Sequence, residues 1–243
     1  MTARAGGSGG GSAASSAAAV EAIGVVVEHR GKAAVRDVCV RVDEGETVAL
    51  VGPNGSGKTS VLRVLAGIAK PTRGRCRIRG RDIGDHSDSE RARIIASVGQ
   101  DEHTELPFTA RDVLLLGRSV GMPDWRPYRD TDHVATEDLA RTWKLTGLLH
   151  RPLTEMSGGE RRRVLLARAF AQRAGIVILD EPTNHLDLRH QHEILARVAD
   201  SSITAVLALH DLNLAAAYCD RVVMMDRGEV VADGREMCSP PNA

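Results

Sequence analysis

Residues 51–60 read Val-Gly-Pro-Asn-Gly-Ser-Gly-Lys-Thr-Ser and follow directly on the apolar run that begins at Thr47. Three glycines fall within positions 52–57, and a lysine and two hydroxyls come next. Bare backbone of this kind lets successive N–H groups turn toward one concave point, and a helix that begins there adds the positive end of its dipole. A phosphate chain is the ligand that suits such a point. The segment Gly52-Pro53-Asn54-Gly55-Ser56-Gly57-Lys58-Thr59 fits the spacing G-x-x-x-x-G-K-[ST]. In it Lys58 supplies a point charge and Thr59 an oxygen for a magnesium ion, with Ser60 as a further hydroxyl. The loop works only between a strand that delivers it and a helix that receives it. It therefore points to an α/β fold that binds a nucleoside triphosphate.

At 243 residues the chain can form one large α/β domain or two small ones. Basic and acidic residues number 32 each, so no global basic field draws the chain to nucleic acid or to an anionic membrane. Cys39, Cys76, Cys219 and Cys238 are scattered with no C-x-x-C pair, which argues against a structural zinc site or a disulfide framework and fits a reducing cytoplasm. No apolar run approaches the roughly 18 residues that span a bilayer, so a membrane role must come through a partner. Residues 1–19 are rich in Gly, Ser and Ala, lack a sustained apolar h-region, and read as a flexible tail.

Enrichment in β-branched residues predicts strands over 23–27 and 38–42, the second with Val38, Val40 and Val42 on one face and Cys39 and Arg41 on the other. After the phosphate loop, a helix is predicted over 59–66 with Gly67 as its stop. Alternating arginines around Cys76 and Ile78 predict an exposed strand over 75–79, and a buried strand is predicted over 94–98. Between 109 and 155 the pattern turns helical, with helices over 110–117 and 136–145; Ala135, Leu139, Thr142 and Trp143 are expected to share one face of the second. Then follow a helix over 157–172, a strand over 176–179, a helix over 189–199, a strand over 203–209, a helix over 212–218 and a strand over 221–225. Alternating strands and helices imply a mostly parallel sheet covered on both faces.

The strand over 176–179 runs into Asp180 and Glu181. A buried parallel strand delivers such residues to the carboxyl edge of the sheet, where open α/β folds place their ligands. Asp180 is there to hold magnesium and Glu181 to polarise an attacking water. Farther back, Ser157-Gly158-Gly159-Glu160 is a capping box. A cap alone has no use for two glycines, each of which weakens helix propensity by about 1 kcal/mol relative to alanine. Without side chains they let an anion approach the helix N-terminus, which implies a second phosphate site.

Together with Gln100, Met156, Leu179, Pro182-Thr183, Leu186-Asp187 and His210, these segments resemble the nucleotide-binding subunit of ATP-binding cassette (ABC) transporters, with every motif in family order from about residue 21 to residue 234. The resemblance implies one cassette over 20–243: a P-loop NTPase core with a mostly parallel sheet, an antiparallel β region and a helical subdomain over about 111–171. It implies ATP and Mg²⁺ as ligands and ATP hydrolysis as the activity. It also implies a head-to-tail pair, in which Ser157, Gly158 and Gly159 of one copy meet the γ-phosphate held by the P-loop of a second copy; a two-fold pair is the commonest closed symmetry. Gln100 corresponds to the glutamine that contacts magnesium and the attacking water, Asp187 to the aspartate that crosses the interface, and His210 to the switch histidine at the γ-phosphate. His29 stands where family members usually place an aromatic that stacks on adenine. Met156 and Glu160 replace the usual leucine and glutamine, both mild changes, and the sequence ends at 239–243 where relatives continue into another helix.

Segments 116–125 and 181–191 resemble the ATPases of importers for ferric siderophores, haem and cobalamin. That resemblance implies transmembrane permease subunits as partners, contacted through 101–109, an extracytoplasmic substrate-binding protein, and a peripheral location on the cytoplasmic face of the cell membrane. An exporter ATPase is the alternative. A soluble cassette acting on the ribosome or on DNA is a more distant one, since such relatives usually carry two cassettes, coiled-coil insertions or zinc cysteines.

Overall fold

A computed structural model describes residues 18–100, 107–122 and 126–234. The expected tail up to residue 17, the segment 101–106, the last three residues of 116–125, and 235–243 with Cys238 lie outside the described residues. Ala18 and Ala19, assigned to the tail, already belong to the first strand, and Ala19 is fully buried.

The elements run β1 (Ala18–His29), β2 (Lys32–Asp43), β3 (Thr47–Val51), α1 (Lys58–Leu65), β4 (Arg73–Ile78), β5 (Arg81–Asp82), α2 (Asp88–Ile94), β6 (Ile95–Val98), α3 (Ala110–Arg118), α4 (Asp130–Thr142), α5 (Gly158–Ala171), β7 (Ile176–Asp180), α6 (Leu188–Ala199), β8 (Thr204–Leu209), α7 (Leu212–Tyr218), β9 (Arg221–Asp226) and β10 (Glu229–Asp233). They build two sheets, one of order β2-β1-β4-β5 and one of order β10-β9-β3-β8-β7-β6. The first is antiparallel. The second is parallel except where β10 joins its edge.

Strand alternation divides the interior in two. Val48 and Leu50 of β3, Ile176 and Ile178 of β7, and Val206 and Ala208 of β8 face α1 and the antiparallel sheet. Their neighbours Ala49, Val51, Val177, Leu179, Ala205 and Leu207 face a second core with residues of α3, α5, α6 and α7. Helix α1 is thus held between the two sheets, and the carboxyl ends of β3, β6, β7 and β8 converge beside its N-terminus. Among the described residues no helix is long and apolar enough to cross a membrane.

Four details depart from the sequence reading. Strand β4 is exposed on one face only, because Cys76 and Ile78 point into the core. Helix α4 starts at Asp130, and its buried line is Asp132, Thr136 and Ala140 followed by Trp143, while Thr142 is exposed. The face was misjudged because an aspartate occupies it: Asp132 is buried by the Arg129 N–H (3.0 Å) and by the guanidinium groups of Arg118 and Arg126. Helix α2 and strand β10 were not anticipated: α2 buries none of its residues, and β10 is a mostly exposed edge strand whose apolar residues 230–232 run consecutively without alternation.

Candidate nucleotide site

The loop after β3 threads a narrow passage. Gly52 has φ 151°, and a side chain there would collide with the Met225 carbonyl at the end of β9. Gly57 has φ 98° and lies against the Ala34 carbonyl of β2. Gly57 is also the N-cap of α1 and provides no side-chain hydrogen bond, so the leading N–H groups of that helix have no side-chain cap. Lys58 is buried and donates from Nζ to the carbonyls of Gly52 (2.7 Å) and Pro53 (3.1 Å). Burial pulls its ammonium below the ordinary lysine range, while Glu181 and Asp180 act to raise it.

A cavity of about 490 Å³ opens over this loop, lined by residues 54–60 together with Ala34, Gln100, Glu181, Asn184 and His210. Gly52 and Pro53 contribute carbonyls behind the cavity rather than its lining. Asp180 also lies beneath the lining. Burial pushes its carboxyl above the usual range, against a hydrogen bond from the Thr59 hydroxyl that lowers it. Its Oδ1 is buried with no hydrogen-bond partner among the described residues. A hydroxyl beside an unsatisfied carboxylate oxygen is a donor set for a hard, oxygen-seeking cation. Among the described residues no group of three or more His, Cys, Asp or Glu assembles; a magnesium ion held by one carboxylate, phosphate oxygens and water requires none.

Glu181 sits one residue past β7 with φ 50°, a left-handed conformation uncommon outside glycine. It is buried, yet its carboxylate reaches the cavity: Oε1 lies 2.5 Å from His210 Nε2, and Oε2 accepts from the Asn184 amide. One chain therefore brings Lys58, Thr59, Gln100, Asp180, Glu181 and His210 together from four separate segments of the sequence.

The other expected ligands are elsewhere. His29 is exposed at the β1–β2 turn and is not among the cavity-lining residues, where Ala34 forms the wall on that side. Ser157 caps α5, accepting from the Glu160 N–H (3.3 Å) while Glu160 takes the Ser157 N–H (2.9 Å). Gly158 and Gly159 pack against His185 and Leu186. The close approach that their missing side chains allow is thus made, within this chain, by its own 185–187 loop. Asp187 caps α6 and pairs with His190 Nδ1 at 2.8 Å.

Sequence reasoning passed over Asn184 and Arg162. Arg162 is buried and donates to the carbonyls of Gly99, Asp180 and Glu181. A signal was present: Arg161-Arg162-Arg163 stand just inside the start of a helix, where the dipole disfavours cations.

The family model described as ABC transporter matches residues 35–184. The chain belongs to the ABC transporter family. It is the family's ATP-binding cassette, and it hydrolyses ATP. It is 41% identical over 220 residues to the hemin import ATP-binding protein of Rhodococcus jostii, covering 88% of this chain and 74% of that one. It is also 41% identical over 220 residues to the cobalamin import ATP-binding protein of Halobacterium salinarum, covering 89% of this cassette but only 53% of that longer relative. Among solved structures, a bacterial ABC transporter cassette described as dimeric superposes with a TM-score of 0.78 at 25% identity, over 88% of this chain and 97% of that one.

Proposed function

We propose that two copies of this cassette close head to tail on two molecules of Mg-ATP and drive an import permease. The observation that carries this reading is the division of labour above: one chain gathers Lys58, Thr59, Gln100, Glu181 and His210 around a cavity and leaves the Ser157 helix start outside it. A second copy supplies the missing wall with its Ser157, Gly158 and Gly159, and Asp187 lies at the same interface.

Phosphoryl transfer to water depends on positioning and charge neutralisation, with no covalent intermediate on the protein. Lys58 and the leading N–H groups of α1 cradle the phosphates. Thr59, Asp180 and Gln100 are the residues that would hold magnesium, whose charge would offset that of the phosphate oxygens. Glu181, fixed by His210 on one oxygen and Asn184 on the other, orients water toward the γ-phosphate and accepts its proton. His29, exposed at the β1–β2 turn outside the cavity lining, offers adenine a small stacking face once nucleotide is bound.

The cargo is haem, cobalamin or a ferric siderophore, a reading supported by the hemin and cobalamin import proteins that this chain resembles. The cassette then works at the cytoplasmic face of the membrane, bound to permease subunits that receive cargo from an extracytoplasmic binding protein. Uptake of labelled haem, ferric siderophore and cobalamin, compared between cells with the wild-type cassette and cells with Lys58→Ala, tests it. Loss of uptake of one of the three supports the assignment; unchanged uptake of all three removes it.

A further inference from the structure

We propose that Arg162 is a positioning residue that ties the start of α5 to the hydrolytic acid of the same chain. The inference rests on the head-to-tail reading above and extends it to how the two sites communicate. Arg162 lies in the second turn of α5, and its Nη1 donates to the Gly99 carbonyl at 2.7 Å, immediately before Gln100. Its Nη2 donates to the carbonyls of Asp180 and Glu181, the latter at 2.9 Å. A single planar fork thus holds the ends of β6 and β7, the segments that carry Gln100, Asp180 and Glu181.

The location argues against a role in helix stability. The Arg162 hydrogen bonds from Nη1 and Nη2 leave α5 for the ends of β6 and β7, and the helix is already capped by Ser157 and Glu160. Burial of a guanidinium is offset where its Nη groups are engaged by carbonyls and a carboxylate is near, and the Arg162 charge does act on Asp180. What the fork secures is the backbone of Glu181, whose left-handed φ of 50° is rare for a residue with a side chain and sets the direction in which its carboxylate points. Asn184 N–H also donates to the Glu181 carbonyl, at 3.2 Å, so two donors converge on this oxygen. Movement of α5 as Ser157 engages the partner's nucleotide is transmitted through three hydrogen-bonded carbonyls to the water-orienting acid. Lysine cannot reproduce this, because a point donor cannot serve both strand ends in a fixed plane.

The test compares Arg162→Lys and Arg162→Gln with wild type and with Glu181→Gln in steady-state ATP hydrolysis, nucleotide titration and thermal melting. We expect kcat to fall at least about tenfold in Arg162→Gln and less in Arg162→Lys, with KM and ATP affinity within about threefold of wild type. Melting that remains cooperative, and an ATP-driven dimer that still forms in the Glu181→Gln/Arg162→Lys double variant, would complete the support. Unchanged kcat in Arg162→Gln, or kcat and ATP affinity lost together with the cooperative melt, overturns the proposal. If Glu181→Gln itself hydrolyses ATP at the wild-type rate, the reading of Glu181 fails, and the Arg162 proposal fails with it. Loss in Glu181→Gln with no loss in Arg162→Gln sinks the Arg162 proposal alone.

Discussion

Two helices in this molecule begin with glycine, and they begin differently. Helix α1 starts at a left-handed Gly57 with no side-chain cap, beneath a cavity that also receives Lys58, Gln100, Glu181 and His210. Helix α5 starts at Ser157 with a complete capping box, and its glycines rest on His185 and Leu186. Both ends carry the positive pole of a helix dipole. Only the first has convergent charges from its own chain. A glycine-rich helix start is therefore not a ligand site by itself; what surrounds it decides, and in the proposed head-to-tail pair the surroundings of α5 come from a second copy.

The largest expected effect tests the complete side of this comparison. Glu181→Gln keeps the shape of the side chain and removes its basicity, so phosphate release should slow by about 10²- to 10⁴-fold while ATP binding persists and a dimer accumulates on size-exclusion chromatography. Wild-type turnover in this variant would make Glu181 a structural acid. Ser157→Arg comes next and tests the incomplete side. A bulky cation at the interface should lower turnover by at least about tenfold, yet leave ATP affinity of the monomer within about threefold. Equal loss of both would place the α5 start in its own chain's site and dissolve the contrast.

The glycine-rich loop, the acidic strand end and the succession of strands and helices along the chain were legible because each rests on short-range physics: alternation, glycine as bare backbone, and a strand that must deliver a loop. Gly52 and Gly57 were read as bare backbone for a phosphate; the structure adds that side chains there would collide with the Met225 and Ala34 carbonyls. Arg162 was not, since its partners at Gly99 and Asp180 are distant in sequence and are carbonyls, which carry no signature. Helix α4 was misframed for a related reason. The buried Asp132 is satisfied by Arg118 and Arg126, and no apolar pattern records such a pairing. The self-packing of Gly158 and Gly159 was likewise hidden, because glycine in sequence announces close approach without saying to what.

A moderate effect, on stability, concerns the buried carboxyl of Asp180. The Asp180 carboxyl is raised by burial, so between its ordinary value and the raised one the folded chain binds more protons than the unfolded chain. Stability therefore falls as pH rises through that window. Asp180→Asn should abolish hydrolysis yet raise the melting midpoint at neutral pH, with the gain shrinking as the medium is acidified below the ordinary aspartate range. A destabilised variant at neutral pH would show that the carboxylate is compensated. The smallest effect is at His29, exposed at the β1–β2 turn. His29→Ala should loosen ATP by about two- to threefold and His29→Tyr tighten it by a similar amount. Identical titrations for both variants would leave the adenine without a partner on β1.

If each site is made by two copies, mixing defective copies should restore one. Lys58→Ala spoils the cavity and spares the α5 start, whereas Ser157→Arg does the reverse, so neither homodimer retains an intact site. Combined in one dimer, they leave one intact composite site and one doubly damaged one. Trapped nucleotide per dimer should be near zero for each variant alone and should approach half the wild-type amount in the heterodimer isolated with two different affinity tags. Heterodimers that occlude no nucleotide, under conditions in which the wild type does, would contradict a site shared between two chains.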